Sequence, residues 1–155
     1  MGVDDVPRLS LDSPLGRLTV FEQDGRITAL VWGDKSAGPA TPLLQNAKRQ
    51  LIAYFEKKRR DFDLPLVPEG TEDEKRIWEA MAAIPYGETR SYGEIGHLLD
   101  IEPRAVGVAC GRNPLPILLP CHRVTGADGK LVGYSGSGGI ETKRKLLQLE
   151  GALLI

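Results

Sequence analysis

Residues 113–124, Asn113-Pro-Leu-Pro-Ile-Leu-Leu-Pro-Cys-His-Arg-Val124, are the stretch around which we expect this chain to be organised. Pro120 restricts the approach to Cys121 and favours extended backbone at Leu119. The aliphatic residues before Pro120 predict a buried, rigid support for the cysteine. A thiol reacts as the thiolate, and a neighbouring imidazole, here His122, is a common means of forming one. The adjacency alone is equally typical of a core cysteine beside a surface histidine, so other parts of the chain must decide.

The composition is that of an ordinary globular protein. The chain has 155 residues, 41% hydrophobic and 26% charged, with a net charge of −1; this suits one core or two small lobes. No apolar run is long enough to span a membrane and no secretory leader is recognisable, so we expect a cytoplasmic protein. Near-neutral charge argues against a bulk polyanion binder. The stretch from Pro103 to Ala127 nevertheless lacks acids and suits modest contact with phosphates through Arg104, Arg112 and Arg123.

Cysteine and histidine spacing argues against a metal site. The two cysteines, Cys110 and Cys121, and the two histidines, His97 and His122, fit none of the usual zinc-ligand spacings. A disulfide is not expected in a reducing compartment. We therefore expect no metal and no other cofactor. Cys110 is interpreted as a small packing residue, and a secondary reactive thiol is the alternative.

The first part of the chain has the pattern of a small β-sheet followed by a helix. Apolar and polar residues alternate between residues 8 and 32, and turn signals at Ser13–Gly16 and Asp24–Gly25 separate three strands. Thr41-Pro42 predicts the start of a helix. Residues 62–67 are predicted to form a further strand.

A linker at Pro68-Glu-Gly70 divides the chain into predicted domains 1–67 and 68–155. After the linker, Thr71–Glu74 and Ser91–Glu94 are two capping boxes, each of which predicts a helix. The fold class is therefore α/β (α+β), with a small N-terminal sheet and helix followed by a mostly helical C-terminal domain.

The second domain also has the pattern of a helix-turn-helix. A further short helix is predicted from Arg104 to Gly111, directly after the helix capped by Ser91. Its side chains are small, which favours a shallow fit in a DNA minor groove with one inserted side chain. Close helix packing within the domain is the alternative. A final helix is predicted over roughly 142–150.

The segment Pro120-Cys-His-Arg-Val124, with Asn113-Pro114 and Arg104-Ala-Val-Gly107 upstream, resembles the O6-alkylguanine-DNA alkyltransferases, also called methylated-DNA–protein-cysteine methyltransferases. The resemblance runs from about Leu9 to Ala152. It implies a ribonuclease-H-like N-terminal lobe and direct DNA repair. Cys121 would take the alkyl group, methyl first, from O6 of guanine in one irreversible event, after the nucleotide is flipped into a pocket.

The resemblance also implies roles for residues around Cys121. His122 would take the thiol proton, through a water, and Glu150 would orient and polarise His122 as in hydrolase triads. Asn113 would brace the turn that carries Cys121. Tyr92 would displace the 3′ phosphate and donate a hydrogen bond to guanine as it leaves.

DNA contact is implied for a second group of residues. Arg104 would be the finger that fills the space of the flipped base, and contact with DNA extends to Tyr92, Ala105, Gly107 and Arg112. The base pocket would be lined by Pro116, Val124, Tyr134 and Ser135. The expected partner is DNA containing O6-alkylguanine, bound through its minor groove by a monomer, with no membrane and no obligate protein partner.

Two other functions stay open at this point. An alkylated-DNA sensor without chemistry keeps such a fold but lacks the cysteine, so Cys121 argues against it. A cysteine hydrolase would need Cys121 and His122 to pair directly, which is awkward because adjacent residues of an extended segment point in opposite directions. This chain departs from the family pattern in having Asp73-Glu74 where Phe-Gln is frequent and a longer loop at 133–139.

Overall fold

The computed structural model describes residues 6–34, 38–132 and 139–153. The chain divides into two compact units, Met1–Pro68 and Glu69–Ile155. The fold is mixed α/β, which confirms the predicted class. None of the helices in these ranges has the length and apolar character needed to cross a membrane.

The first unit contains a three-stranded antiparallel sheet in the order β1-β2-β3. Its strands are β1 (Arg8–Ser13), β2 (Gly16–Gln23) and β3 (Arg26–Trp32). The first hairpin closes on the pair Ser13–Gly16 and the second on Gln23–Arg26. Between the last two residues, Asp24 and Gly25 both have positive φ, as the tightest hairpin turns require. The three predicted strands and both turns are confirmed.

One helix covers this sheet. It is α1 (Pro42–Phe55), and the Thr41 hydroxyl accepts a hydrogen bond from the Leu44 N–H, so the predicted helix start is confirmed. Apolar side chains of the helix and the sheet form the core of the unit: Leu11, Leu18, Val20, Ile27, Leu30, Leu44, Ala47, Leu51 and Tyr54.

The predicted strand at residues 62–67 is wrong. Only Leu66 forms an isolated parallel bridge, with Ile27 of β3. The Ile27 N–H donates to the Pro65 carbonyl at 2.9 Å, and the Val67 N–H donates to the Ile27 carbonyl at 3.3 Å. Pro65 has no N–H to continue the ladder, so the pairing ends after one step.

The second unit is mainly helical. Its helices are α2 (Glu72–Ala82), α3 (Tyr92–Leu99), α4 (Pro103–Gly111) and α5 (Gly139–Leu149). Both capping boxes are complete, because Thr71 and Glu74 exchange side-chain and backbone hydrogen bonds, as do Ser91 and Glu94. Those two predictions are confirmed. The last helix begins three residues earlier than the sequence predicted.

Helices α3 and α4 are joined by a short, tight connection. Asp100 ends α3 in the left-handed conformation, with φ of 56°. The chain then returns so closely that a Cβ atom on Gly96 would collide with the Ile101 carbonyl oxygen. The Trp78 indole donates to the Ala109 carbonyl at 2.9 Å and ties α2 to α4. The helix-turn-helix at these residues stays a prediction.

A two-stranded parallel ladder organises the region of the cysteine. β4 (Arg90–Ser91) pairs with β5 (Val124–Thr125). Because β4 leads directly into α3 and β5 directly follows Arg123, the ladder brings the start of α3 beside the cysteine segment. Residues Cys121–Arg123 form one 3-10 turn. The expectation of an extended Cys-His segment is therefore wrong, because the Arg123 N–H bonds back to the Pro120 carbonyl at 3.0 Å.

Candidate active site

The segment between α4 and the cysteine is folded around the buried side chain of Asn113. Asn113 Nδ2 donates to the Leu119 carbonyl at 2.8 Å, and its Oδ1 accepts from the Leu115 N–H at 2.9 Å. Within this turn Ile117 has φ of 75°, a conformation that a β-branched residue rarely adopts. Surrounding hydrogen bonds hold that strain. The Cys121 N–H donates to the same Leu119 carbonyl at 2.8 Å, so Asn113 and Cys121 share one hydrogen-bond acceptor.

Cys121 is buried and its support is apolar, as predicted. Its exposed fraction is 4%, and Leu115, Ile117, Leu118 and Leu119 are buried with it. Burial raises the pKa of Cys121, while a hydrogen bond with the Asn113 side chain and the positive charge of Lys143 act in the opposite direction. The group is therefore a thiol at neutral pH and needs a base to become a nucleophile.

His122 is fully buried, and its Nε2 lies 2.7 Å from Glu150 Oε2. Burial lowers the pKa of His122, although the hydrogen bond and charge of Glu150 oppose the shift, so the ring is neutral at pH 7. An ionised carboxylate only accepts hydrogen bonds, so the ring proton is on Nε2. The other nitrogen, Nδ1, carries the lone pair and is buried with no hydrogen-bond partner among the described residues.

Glu150 is kept ionised by two donors. Burial by itself would raise the pKa of Glu150, but hydrogen bonds from His122 and Arg123 outweigh burial and lower it to about 2. Arg123 donates from Nε to Oε1 at 2.8 Å and from Nη2 to Oε2 at 2.9 Å, a bidentate pair. Its Nη1 donates to the Ile84 carbonyl at 2.7 Å, and its guanidinium lies 5.8 Å from the centre of the Tyr86 ring.

The grouping of Arg123 with phosphate-contacting residues is wrong. Arg123 is 5% exposed, and all three of its guanidinium nitrogens bond to Glu150 or Ile84. The cause is the 3-10 turn, which directs the residue after His122 into the protein. Arg123 therefore supports the site from inside.

Tyr92 and Lys143 meet at one backbone carbonyl. The Tyr92 hydroxyl donates to the Val132 carbonyl at 3.1 Å. Lys143 Nζ donates to the same carbonyl at 3.0 Å and to the Val124 carbonyl at 2.6 Å, and it lies 5.7 Å from the centre of the Tyr92 ring. Burial, with smaller contributions from both cysteines, raises the pKa of Tyr92 to about 12. The phenol is thus a proton donor at neutral pH.

The sequence also carries a signal for Lys143. Three residues of α5 and the residue that directly follows it have the spacing of a single helix face, and all four are buried: Lys143, Leu146, Leu147 and Glu150. Charged residues on an apolar stripe indicate buried polar partners. Those partners are the Val124 and Val132 carbonyls for Lys143, and His122 and Arg123 for Glu150.

Apart from Tyr92, which begins α3, the residues expected to contact DNA lie on α4 and directly after it. Arg104, Ala105 and Arg112 are exposed and Gly107 is half-buried. Arg112 forms a loose ion pair with Glu74, with 3.6 Å between Nη1 and Oε2. Of the expected pocket residues, Pro116 and Val124 are buried beside the cysteine segment, whereas Tyr134 and Ser135 lie outside the described residues.

Family models match both parts of the chain. Residues 72–152 match the model described as 6-O-methylguanine DNA methyltransferase, DNA binding domain. Residues 9–68 match the model described as 6-O-methylguanine DNA methyltransferase, ribonuclease-like domain.

Known relatives resemble the chain over most of its length. It is 45% identical over 150 residues to the methylated-DNA–protein-cysteine methyltransferase of Mycolicibacterium paratuberculosis. The aligned region covers 91% of this chain and 90% of that protein. It is 42% identical over 152 residues to the constitutive enzyme of that name from Bacillus subtilis, covering 90% and 92%. The structure of Mycobacterium tuberculosis OGT in complex with DNA superposes with a TM-score of 0.84 at 44% identity, covering 95% and 94%.

Together these matches define a DNA-binding methyltransferase. The chain belongs to the methylated-DNA–protein-cysteine methyltransferase family, which confirms the resemblance seen in its motifs.

Proposed function

We propose that this chain repairs DNA directly by moving the alkyl group of O6-alkylguanine, methyl first, onto the sulfur of Cys121, once per molecule. The observation that carries the proposal is the buried array that follows the thiol: His122 Nε2 lies 2.7 Å from Glu150, and His122 Nδ1 is left with a lone pair. Such an array supplies a base to a thiol that burial keeps protonated.

Proton transfer comes first. The Cys121 thiol gives its proton to His122 Nδ1, through a water, and the imidazolium that forms is stabilised by the Glu150 carboxylate. Arg123 holds that carboxylate in place by its bidentate contact. Glu150 stays ionised throughout, because its pKa is about 2.

Alkyl transfer follows as a displacement at carbon. The thiolate forms a bond to the alkyl carbon, the bond from that carbon to guanine O6 breaks, and its electron pair stays with guanine, which takes up one proton. Tyr92 donates a hydrogen bond to the departing guanine, and its raised pKa keeps it a donor. The thioether on Cys121 has no leaving group that this site can activate, so the protein is used once.

DNA binding is proposed for the domain formed by residues 68–155. The exposed face of α4 enters the minor groove, where contact is made by Arg104, Ala105, Gly107 and Arg112. The target nucleotide is flipped out because its alkyl carbon is inaccessible inside a duplex. Arg104 fills the space it leaves, and Tyr92 displaces the 3′ phosphate. Of the described residues, Pro116 and Val124 are the ones proposed to line the pocket.

The remaining parts of the proposal concern the assembly. Residues 1–67 form the other domain, which carries no proposed reacting group. A monomer that reacts once needs no partner protein. We propose that it works in the cytoplasm, where its DNA substrate would be found.

Intact-protein mass spectrometry tests this function. The protein is incubated with an oligonucleotide that contains one O6-methylguanine, and the product is mapped by peptide digestion. We expect one added methyl group per protein, on Cys121, and none on Cys121→Ala, which should still bind the oligonucleotide. Binding by the native protein without a mass change would support a lesion sensor, and catalytic turnover of an ester or amide would support a hydrolase.

A further inference from the structure

Glu74 and Arg112 form a long ion pair, and the proposed function uses only one of the two residues. Glu74 lies in the first turn of α2, and Arg112 directly follows α4. The distance from Arg112 Nη1 to Glu74 Oε2 is 3.6 Å. Arg112 is the residue proposed to contact DNA, and the carboxylate beside it has the same sign of charge as a DNA phosphate. The pair therefore places an acid of the protein where the DNA backbone is expected.

The two partners differ in how firmly they are held. The Glu74 side chain is 14% exposed, and its Oε1 accepts a hydrogen bond from the Thr71 N–H at 2.9 Å. In return, the Glu74 N–H donates to the Thr71 hydroxyl at 3.1 Å, which completes the capping box. The Arg112 side chain is 69% exposed, while its backbone N–H donates to the Val108 and Ala109 carbonyls at the end of α4. The carboxylate is therefore fixed, and the guanidinium is the partner that can move.

Glu74 is ionised at neutral pH. The hydrogen bond from the Thr71 backbone lowers the pKa of Glu74, the charge of Arg112 acts in the same direction, and burial opposes both. The neighbouring acid, Asp73, lies 3.5 Å from a different cation, Arg76. Arg112 is thus the cation that Glu74 faces, and the two charges of this pair cancel.

We propose that Glu74 competes with DNA phosphate for Arg112 and so limits the part of the DNA affinity that does not depend on base sequence. A phosphate that approaches Arg112 must displace a carboxylate that the capping box holds in place, or share the guanidinium with it. Contacts with phosphates supply most of this sequence-independent affinity. The inference rests on the proposed DNA contact of Arg112, but it requires neither alkyl transfer nor a damaged base.

The test removes the charge of Glu74 and keeps the helix cap. In Glu74→Gln, the amide oxygen can still accept from the Thr71 N–H, because glutamine also serves at this position of a capping box. Two controls each remove one negative charge elsewhere: Glu94→Gln, at the same position of the capping box of α3, and Glu79→Gln, at an exposed residue of α2. Arg112→Gln and the double variant Glu74→Gln/Arg112→Gln complete a double-mutant cycle.

Binding of each variant to an undamaged duplex is measured by fluorescence anisotropy at neutral pH between about 50 and 200 mM KCl. We expect Glu74→Gln to bind about threefold more tightly than the native protein. The slope of log affinity against log salt should become steeper by about 0.9, as for one added phosphate contact. Arg112→Gln should abolish this gain in the Glu74→Gln background and should change the native slope by less than half as much. Both controls should bind as the native protein does, and melting temperature verifies that each variant is folded.

Three results would overturn the competition. The first is native affinity and slope in a folded Glu74→Gln variant. The second is tighter binding that persists in the double variant or appears equally in either control, because the gain would then be one of net charge. The third is weaker binding by Glu74→Gln, which would show that the carboxylate positions Arg112 for DNA. If Glu74→Gln does not fold, Arg112→Gln decides, and a loss of the full ~0.9 from the native slope overturns the inference.

The same protein separates this inference from the proposed function. Native protein that binds the undamaged duplex, but transfers no methyl group from an O6-methylguanine oligonucleotide, overturns the proposed function. The competition between Glu74 and phosphate stays intact in that case, because every comparison that tests it uses undamaged DNA.

Discussion

Two thiols in the second unit are both buried but have different surroundings. Cys110 lies on α4, 7% exposed, with its sulfur 3.5 Å from the Met81 sulfur. Cys121 begins the 3-10 turn, 4% exposed, and is followed by His122. Burial raises the pKa of both thiols, and for Cys110 it reaches about 12. Burial therefore does not distinguish the proposed nucleophile from the packing residue.

The difference lies in the polar groups that each thiol can use. Cys121 has a hydrogen bond with the Asn113 side chain, and a histidine with a free lone pair is next in the chain. The described neighbours of Cys110 include a thioether, which is only a weak acceptor. A buried thiol is inert unless the protein provides a base and a compensating charge. Each of the following changes tests one part of that contrast.

The largest expected effect comes from removing the sulfur of Cys121. Cys121→Ser keeps the size of the side chain but replaces a thiol by a hydroxyl, which is far harder to deprotonate. We expect the single-turnover rate of methyl transfer to fall by at least ~10³-fold, with oligonucleotide affinity retained. Quantitative mass spectrometry of the protein measures the transfer. Methylation of the serine variant at the native rate, at any position, would show that Cys121 is not the acceptor.

Glu150→Gln should have the next largest effect on the rate. The amide can present its NH₂ group to His122 and thereby favour the tautomer in which Nδ1, and not Nε2, carries the proton. Loss of the correct tautomer costs about 10²–10⁴-fold in comparable arrays. The measurement is the single-turnover rate. Glu141→Gln is the matched control, because Glu141 is an exposed glutamate on α5, the helix that Glu150 directly follows. A native rate in Glu150→Gln would remove the carboxylate from the mechanism.

Stability at acid pH tests the same carboxylate without DNA. The pKa of Glu150 is about 2 in the folded protein against an ordinary value of 4.5, so its ionised form stabilises the fold. This contribution is complete above pH 4.5 and is lost as the pH falls towards 2. It amounts to about 3 kcal/mol. Denaturant unfolding at pH 6 and pH 3 should show a larger loss in the native protein than in Glu150→Gln, and equal losses would contradict the proposed pairing.

Many of the secondary-structure elements of this protein follow from local sequence patterns. Both hairpins and the helix starts at Thr41, Thr71 and Ser91 were predicted because turn and capping residues act over a few positions. The apolar pattern at residues 62–67 predicts a strand that does not form, because Pro65 has no N–H to extend the ladder beyond the bridge at Leu66. Local chemistry therefore predicts where helices and hairpins begin. A proline, which lacks the backbone N–H donor, can still prevent a strand that the apolar pattern predicts.

The site was predictable only where its residues are neighbours in the chain. Cys121, His122 and Asn113 lie in one segment. The sequence pattern places Arg123 at the surface, because it does not indicate the 3-10 turn that directs this side chain inward. Lys143 depends on contacts with β5 and with Val132, and the β4–β5 ladder joins segments that are more than thirty residues apart in sequence. Such pairings depend on tertiary packing, which no local pattern encodes. The available sequence signal was the spacing of Lys143 and Glu150, which places both charged residues on one apolar helix face and thereby indicates buried polar partners.

The smallest expected effect is that of Cys110→Ala, which tests whether the Cys110 thiol takes no part in the reaction. This change removes one buried sulfur and its contact with Met81, so we expect a loss of ~1 kcal/mol in the free energy of unfolding. Methyl transfer to Cys121 should stay within about twofold of the native rate, because Cys110 has no base. Iodoacetamide labelling of the native protein should modify Cys121 well before Cys110. If Cys110 were labelled first, or if Cys110→Ala slowed transfer as much as Glu150→Gln, the second thiol would belong to the reacting site.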